Sequence, residues 1–497
     1  MARRTDAATL TRCIVTTPRG EGCAADSEAL GRPQPAPRNR GCVREGRLGL
    51  TLIRKSDGAP RKRKPKIALV LAGGAVSGGA FKVGGLKALD DYLVDRKVAD
   101  LDMYIGLSAG SMLAVSLAAG VTPDEMVKVL EGTSSKFDQL SPLKFYNPNL
   151  REFVERPAKF FYDLFSYVPG VLFELLRQVP RLPQVMGPKL RAFLDHPNYT
   201  SAEELAMTLI EHVSPSREIP ALTNHIPTGL FDNASLERWL RRSLEKMRMP
   251  NNFQEFVRKR GRQLYVTACD LDTAERVIFG ADERNEVTIS EAVQASTALP
   301  IFYKPARIRG VDYVDGGIRN TANIDVAIEK GADLIICYNP FRPFLNRVDQ
   351  EGHSRYFATG RYLSDRGMKM LINQVFRTLL HSRLRTALRG YLTDERFRGD
   401  IVLLEPREQD VDFFAINPLA FWKRADAIRA GFESVRVTIE QNYDALSDVF
   451  SRYGLHLDRG AAQRRAMRLR ASRGWRVSDP EVEADSPSPR LRVVGRS

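Results

Sequence analysis

Two rhythms of apolar residues alternate along this chain. Residues 67–72 form a short unbroken apolar run, as in a strand buried on both faces. A glycine-rich turn follows, and then Phe81, Leu86, Leu89 and Leu93 recur at near-helical spacing within residues 80–93. The same strand, turn and helix order returns with an apolar stretch at 103–107 and an alanine-rich stretch at 111–119 ended by Gly120. Further strands are expected at 264–269, 276–279 and 332–338. This alternation predicts an α/β fold, with a mainly parallel central sheet flanked by helices on both faces.

The region from about 140 to 225 breaks the rhythm. Phe160, Phe161, Leu164, Phe165, Val168, Val171, Leu172, Leu175 and Leu176 recur at three- and four-residue steps, interrupted at Pro169 and Gly170. Such an amphipathic insertion either packs on the core or caps it with a surface suited to acyl chains. Residues 366–394 and 420–453 read as further amphipathic helices. The expected division is therefore a disordered basic leader (1–65), a catalytic domain (66–340) carrying the helical cap, a C-terminal helical extension (341–455) and a disordered basic tail (456–497), with order beginning at Ile67.

Charge sharpens that division. Residues 1–66 hold sixteen Lys/Arg against six Asp/Glu, and residues 456–497 hold ten against five. These segments carry +10 and +5, the whole of the net +15, so the body between them is formally neutral. The basic balance thus belongs to the tails and gives no reason to expect a nucleic-acid partner. The tails, like the cap, are candidates for peripheral membrane contact. Cys13, Cys23, Cys42, Cys269 and Cys337 show no metal-knuckle or redox spacing. No secretory signal and no apolar run of about 18 residues is present, so a cytoplasmic protein at most peripheral to a membrane is expected.

Three motifs carry candidate chemistry. Gly106, Ser108 and Gly110 make a G-x-S-x-G pattern between an expected strand and helix, where small neighbours permit the tight turn that exposes a nucleophilic serine. The stretch 72–80, with Gly73, Gly74, Ala75, Gly78 and Gly79, offers backbone N–H groups to an anion; it lacks the dinucleotide and P-loop spacings, so an oxyanion hole is the better reading. Asp315, followed by Gly316 and Gly317, would fix a carboxylate at a strand end, as a general base requires. A Ser-His-Asp arrangement stays open as well, since His353 and His381 follow in the order Ser, Asp, His.

In this order the three motifs resemble the patatin-like phospholipases, and the stretches 229–233, 265–273 and 294–302 also look like that family's patterns, so the likeness covers roughly 67–340. The resemblance implies a Ser108 and Asp315 dyad acting through an acyl-enzyme on the ester of a phospholipid, lysophospholipid or related lipid. It further implies an oxyanion hole in the glycine loop and neither metal nor organic cofactor; no protein partner can be inferred. One departure stands out. The family's glycine loop usually carries an Arg or Lys, whereas Ala75, Val76, Ser77 and Gly78 occupy that stretch here. The departure favours a neutral or lysolipid ester, and leaves room for a catalytically silent lipid-binding protein on the same fold.

Overall fold

The computed structural model describes residues 42–45, 49–56, 64–178, 182–213, 225–347 and 362–473. Its strands are β1 (Cys42–Glu45), β2 (Leu50–Arg54), β3 (Ile67–Leu71), β4 (Met103–Leu107), β5 (Gly229–Phe231), β6 (Gln263–Asp270), β7 (Arg276–Gly280), β8 (Ile301–Tyr303), β9 (Ala306–Ile308), β10 (Val311–Asp315), β11 (Leu334–Tyr338) and β12 (Asp400–Leu404). The chain forms two compact units.

The larger unit is built on a ten-stranded sheet in the order β1-β2-β12-β11-β3-β4-β6-β10-β9, with β7 paired to β6. Its centre, β12-β11-β3-β4-β6, is parallel, and the flanks are antiparallel. β3, β4, β11 and β12 are buried along their whole length, which is why they read as unbroken apolar runs. The helices used below are α1 (Ala75–Tyr92), α2 (Ala109–Ala118), α3 (Leu150–Gln178), α4 (Leu182–Asp195), α5 (Tyr199–Val213), α6 (Ile289–Thr297), α7 (Met368–Thr393), α8 (Arg424–Gln441) and α9 (Arg459–Arg473).

The smaller unit comprises residues 147–232 and 300–304: the helices α3, α4 and α5 with the parallel pair β5-β8. The α3 helix runs through Pro169 and Gly170, where a break was expected; Pro157 and Pro169 each remove one N–H, which a helix of 29 residues tolerates. On it, Phe161, Tyr162 and Phe165 are exposed.

Three expectations need correction. Order does not begin at Ile67: β2 pairs with β12, and β1 pairs with β2, inside the stretch expected to be a disordered leader. The segment after 341 is more than helical, because β12 lies beside β11 within the parallel core; Asp400–Leu404 is short and lacks alternation, so periodicity gives no warning of it. Residues 459–473 of the expected tail are helical. The expected leader up to residue 41 and the tail from 474 lie outside the described residues, and no helix among those described is long and apolar enough to cross a membrane.

The helices α1 and α8 cross at backbone contact. A Cβ on Gly84 would stand 1.9 Å from the Ile428 carbonyl oxygen, and one on Gly431 would stand 1.9 Å from that of Phe81. Gly84→Ala should therefore force the helices apart and cost about 2–3 kcal/mol, read as a lower urea midpoint. An unchanged midpoint would mean that the crossing is looser than described.

Candidate active site

Adjacent strands bring the candidate chemistry to one edge of the sheet. β3 ends at Leu71 and β4 at Leu107, running in parallel, so the glycine loop and Ser108 emerge side by side. Across β6, Leu107 is opposite Thr267 and Asp315 is opposite Ala268. Ser108 and Asp315 thus stand at the same level on the two sides of one strand. The Ser108 hydroxyl is close enough to the Asp315 carboxylate to favour its charged form.

Ser108 occupies the turn between β4 and α2 with φ 54° and ψ −130°, a strained conformation for a residue with a side chain. Its neighbours make that turn possible. A Cβ on Gly106 would meet the Ser111 Cα at 2.4 Å, and one on Gly110 would meet the Leu71 carbonyl oxygen at 2.2 Å. The Ser108 N–H donates to the Ser296 Oγ at 2.8 Å, which pins the turn to α6. Asn233 in turn donates to the Gln294 carbonyl and the Thr297 hydroxyl, steadying α6. The serine lies at the N-terminus of α2, where the helix presents its positive end.

Asp315 is 3% exposed. Its own N–H donates to the Ala298 carbonyl at 2.9 Å, and its Oδ1 accepts from the Gly317 N–H at 2.8 Å. Gly316 lets this turn lie against the residue before the serine, since a Cβ there would sit 2.9 Å from the Leu107 Cδ1. Burial pushes the Asp315 carboxyl up to about 6, against the opposing pull of the Ser108 hydroxyl, the Gly317 N–H and the Lys82 charge.

The glycine loop is shorter than expected. Gly74, with φ 149°, caps α1, and the helix proper begins at Ala75. The Ser77 N–H is taken by the Pro418 carbonyl and the Gly78 N–H by the Gly74 carbonyl. Gly78 and Gly79 therefore belong to the first turn of α1 and serve as packing positions, against Pro340 and Ala109. Among the described residues no acceptor takes the N–H groups of Gly73, Gly74 and Ala75, at the start of the helix. Gly73 is the one beside the serine, for a Cβ there would lie 3.4 Å from the Ser108 Cβ.

Sequence reasoning missed Lys82. This lysine of α1 is fully buried, and its ammonium donates to the carbonyls of Ala72 and of Gly73, the latter at 2.9 Å. Burial pulls it down to about 7, while Asp315 and Cys337 draw it upward. A signal was present: Lys82 stands in phase with Leu86, Leu89 and Leu93, so it is an ionisable residue on the apolar stripe of its helix. Ser296 falls inside the stretch 294–302, and nothing in its spacing indicates that it holds the serine turn.

Of the two candidate histidines, His381 stands apart from this group. His381 pairs with Glu405 at 3.4 Å, just past the end of β12. That strand is three places from β4, about 14 Å at the usual strand spacing. His353 lies outside the described residues. Beneath α2, Met112, Leu113 and Ser116, with Met126, Trp239 and Met247, line an apolar cavity of about 70 Å³.

Comparisons with known proteins bear on this geometry. The family model described as patatin-like phospholipase matches residues 69–328, more than half of the chain. A protein of Invertebrate iridescent virus 6, named Probable lipid hydrolase 463L, is 27% identical over 103 residues, 20% of this chain; the match spans 36% of that protein, about a third of its length. Among solved structures, VipD from Legionella pneumophila is 16% identical with a TM-score of 0.32, over 83% of this chain and 72% of that one. Full-length ExoU of Pseudomonas aeruginosa, in complex with SpcU, is 17% identical with a TM-score of 0.24, over 90% and 76%. Human GIVD cytosolic phospholipase A2 is 11% identical with a TM-score of 0.30, over 78% and 61%.

The buried carboxylate sets a stability prediction. A carboxyl raised from 3.8 to about 6 by folding contributes stability that is fully present below pH 3.8 and lost as pH rises through about 6. Asp315→Asn, which keeps an oxygen for the Gly317 N–H, should therefore be more stable than wild type by about 3 kcal/mol at pH 8 and nearly equal to it at pH 4, by urea unfolding. A variant less stable at both values would show that the charged form is not strained by burial.

Proposed function

The chain belongs to the patatin-like phospholipase family, and from that premise we propose that it is a serine acyl hydrolase of lipid esters, with Ser108 as nucleophile and Asp315 as its base. The observation that carries this reading is the strained Ser108 at the N-terminus of α2, set by the sheet register level with a buried carboxylate whose pKa is raised to about 6. A base held near 6 is ionised at neutral pH yet still basic enough to take a proton as an alkoxide forms.

The steps follow from these positions. Asp315 accepts the Ser108 proton as Oγ bonds to the acyl carbonyl carbon, and the carbonyl electron pair moves to its oxygen. The N–H groups of Gly73, Gly74 and Ala75 with the positive end of α2 stabilise that oxyanion. Collapse breaks the ester bond; the leaving alcohol takes the proton from Asp315, and the acyl group stays on Ser108. Water then attacks, giving its proton to Asp315, and the Ser108 oxygen leaves protonated with release of the fatty acid. Phospholipids, lysophospholipids and related lipid esters fit this chemistry, and the apolar cavity lined by the adaptable Met112, Met126 and Met247 suits part of an acyl chain.

Lys82 is assigned a positioning role. In a planar trans peptide the C=O and the following N–H point in opposite directions. An ammonium that gathers the Ala72 and Gly73 carbonyls from below turns the Gly73 and Gly74 N–H groups the other way, toward the serine. Its charge also favours ionised Asp315. This supplies from within the helix the positive charge that the glycine loop lacks. A relay through His381 is disfavoured, because that residue is engaged with Glu405. A silent lipid-binding protein would have no use for a strained serine set level with a buried carboxylate.

Fatty-acid release from p-nitrophenyl esters, phospholipids and lysophospholipids tests the assignment. Ser108→Ala and Asp315→Asn should each lower kcat by about 10³-fold or more. In wild type kcat should rise with pH through about 6. Lys82→Met should lower kcat about 10²-fold and move that rise to higher pH, because the cation that favours ionised Asp315 is gone. A Ser108→Ala protein with normal turnover would overturn the assignment, and an unmoved pH profile in Lys82→Met would reduce Lys82 to a folding role.

A further inference from the structure

The helix α7 has an outer face that water does not explain. Met368, Leu371, Ile372, Val375, Phe376 and Leu379 recur at three- and four-residue steps over its first three turns, each between 45% and 68% exposed. The opposite face is buried through Arg377, Leu384 and Leu388. A stripe of large apolar side chains pointing outward marks a contact surface. Between Met368 and Thr393 the chain has no Asp/Glu, and of its Lys/Arg, Arg383 and Arg389 are exposed while Arg377 is buried.

The inner face is fastened to the candidate site. Arg377 donates to the carbonyls of Pro340 at 2.9 Å and Arg342 at 3.2 Å, and Pro340 packs over Gly74, where a Cβ would approach its ring at 2.8 Å. Arg383 donates to the Ile318 carbonyl at 2.6 Å, just beyond the Asp315 turn, and Thr321 donates to the Leu380 carbonyl. Ile318 is itself half exposed. The stripe is thus carried by the element that ties the glycine-loop side of the site to the aspartate side.

We propose that α7 is the docking face for an anionic lipid surface, an inference that rests on the reading of Ser108 as a lipid acyl hydrolase. Charge selects the occupant. A second copy would set a basic helix against a basic helix, and the chain's own leader and tail carry +10 and +5, so both would be repelled. Anionic headgroups attract the exposed Arg383 and Arg389 while the apolar side chains enter the boundary with the acyl region, as an interfacial helix does. Lying flat on the surface, α7 would bring the loops it holds up to the substrate-bearing layer.

Flotation of the full chain with phosphatidylcholine vesicles, alone or with about one-fifth phosphatidylserine, tests this. Wild type should float several-fold more with the anionic vesicles, less so in high salt. The triple variant Leu371→Gln, Val375→Gln, Phe376→Gln, altered only at exposed positions, should lose about tenfold in vesicle binding and in hydrolysis of vesicle-borne lipid. Its turnover of soluble p-nitrophenyl butyrate and its circular dichroism should match wild type. Equal flotation of wild type and variant, or no flotation of wild type, overturns the proposal; the second result would point to an acidic protein as the occupant. Ser108→Ala separates the two claims, since it should float like wild type. Wild type that floats through α7 but cleaves no ester sinks the hydrolase reading alone, and wild type that cleaves soluble ester without floating sinks the docking face alone.

Discussion

Burying a carboxylate and an ammonium together at one end of the sheet is the constraint on which the rest of the site depends. Asp315 and Lys82 are both almost wholly removed from water, and each is pushed by burial toward its neutral form. An isolated charge in such a place costs several kcal/mol, so it is retained only where other groups meet it. Here the Gly317 N–H and the Ser108 hydroxyl meet the carboxylate, and two backbone carbonyls meet the ammonium. The bonds that make the burial tolerable are also the ones that orient the serine and the loop amides.

The glycines make this arrangement sterically possible. Gly106 and Gly110 let the serine turn press against α2 and the end of β3, and Gly316 lets the aspartate turn lie on Leu107. Gly84 and Gly431 bring α8 onto the outer side of α1, the helix that carries Lys82. The strain at Ser108 is held from α6 through Ser296, and α6 is held by Asn233. Site and scaffold are therefore one packing problem, and the sheet register puts Ser108 and Asp315 at the same level.

How much of this could be read from the sequence follows from which signals are local. Ser108, Asp315 and the glycines around them were legible because tight turns beside strands need small residues at fixed offsets. The parallel core was legible where apolar runs alternate with helical spacing, as in β3, α1, β4 and α2. Asp400–Leu404 was not, since five apolar-rich residues between helices carry no periodicity, and the strand acquires meaning only from pairing with β2 and β11. The start of α1 was misjudged because glycine-rich stretches look like loops, whereas the Gly78 N–H closes the first helical turn. The partners of Lys82 are carbonyls, which no side-chain pattern reveals, and Ser296 reaches the serine turn from 188 residues away.

The central claim is that Ser108 forms the covalent bond and that Asp315 sets the pH at which it can. Its most direct test is mass spectrometry of the protein after brief exposure to an alkyl fluorophosphonate, with the labelled peptide mapped and the labelling rate followed between about pH 5 and 8. The account predicts one adduct, on Ser108, whose rate of formation rises through about pH 6 in wild type and is lost in Asp315→Asn. An adduct on another residue, or labelling of Ser108 at a rate indifferent to pH and to Asp315, would contradict it.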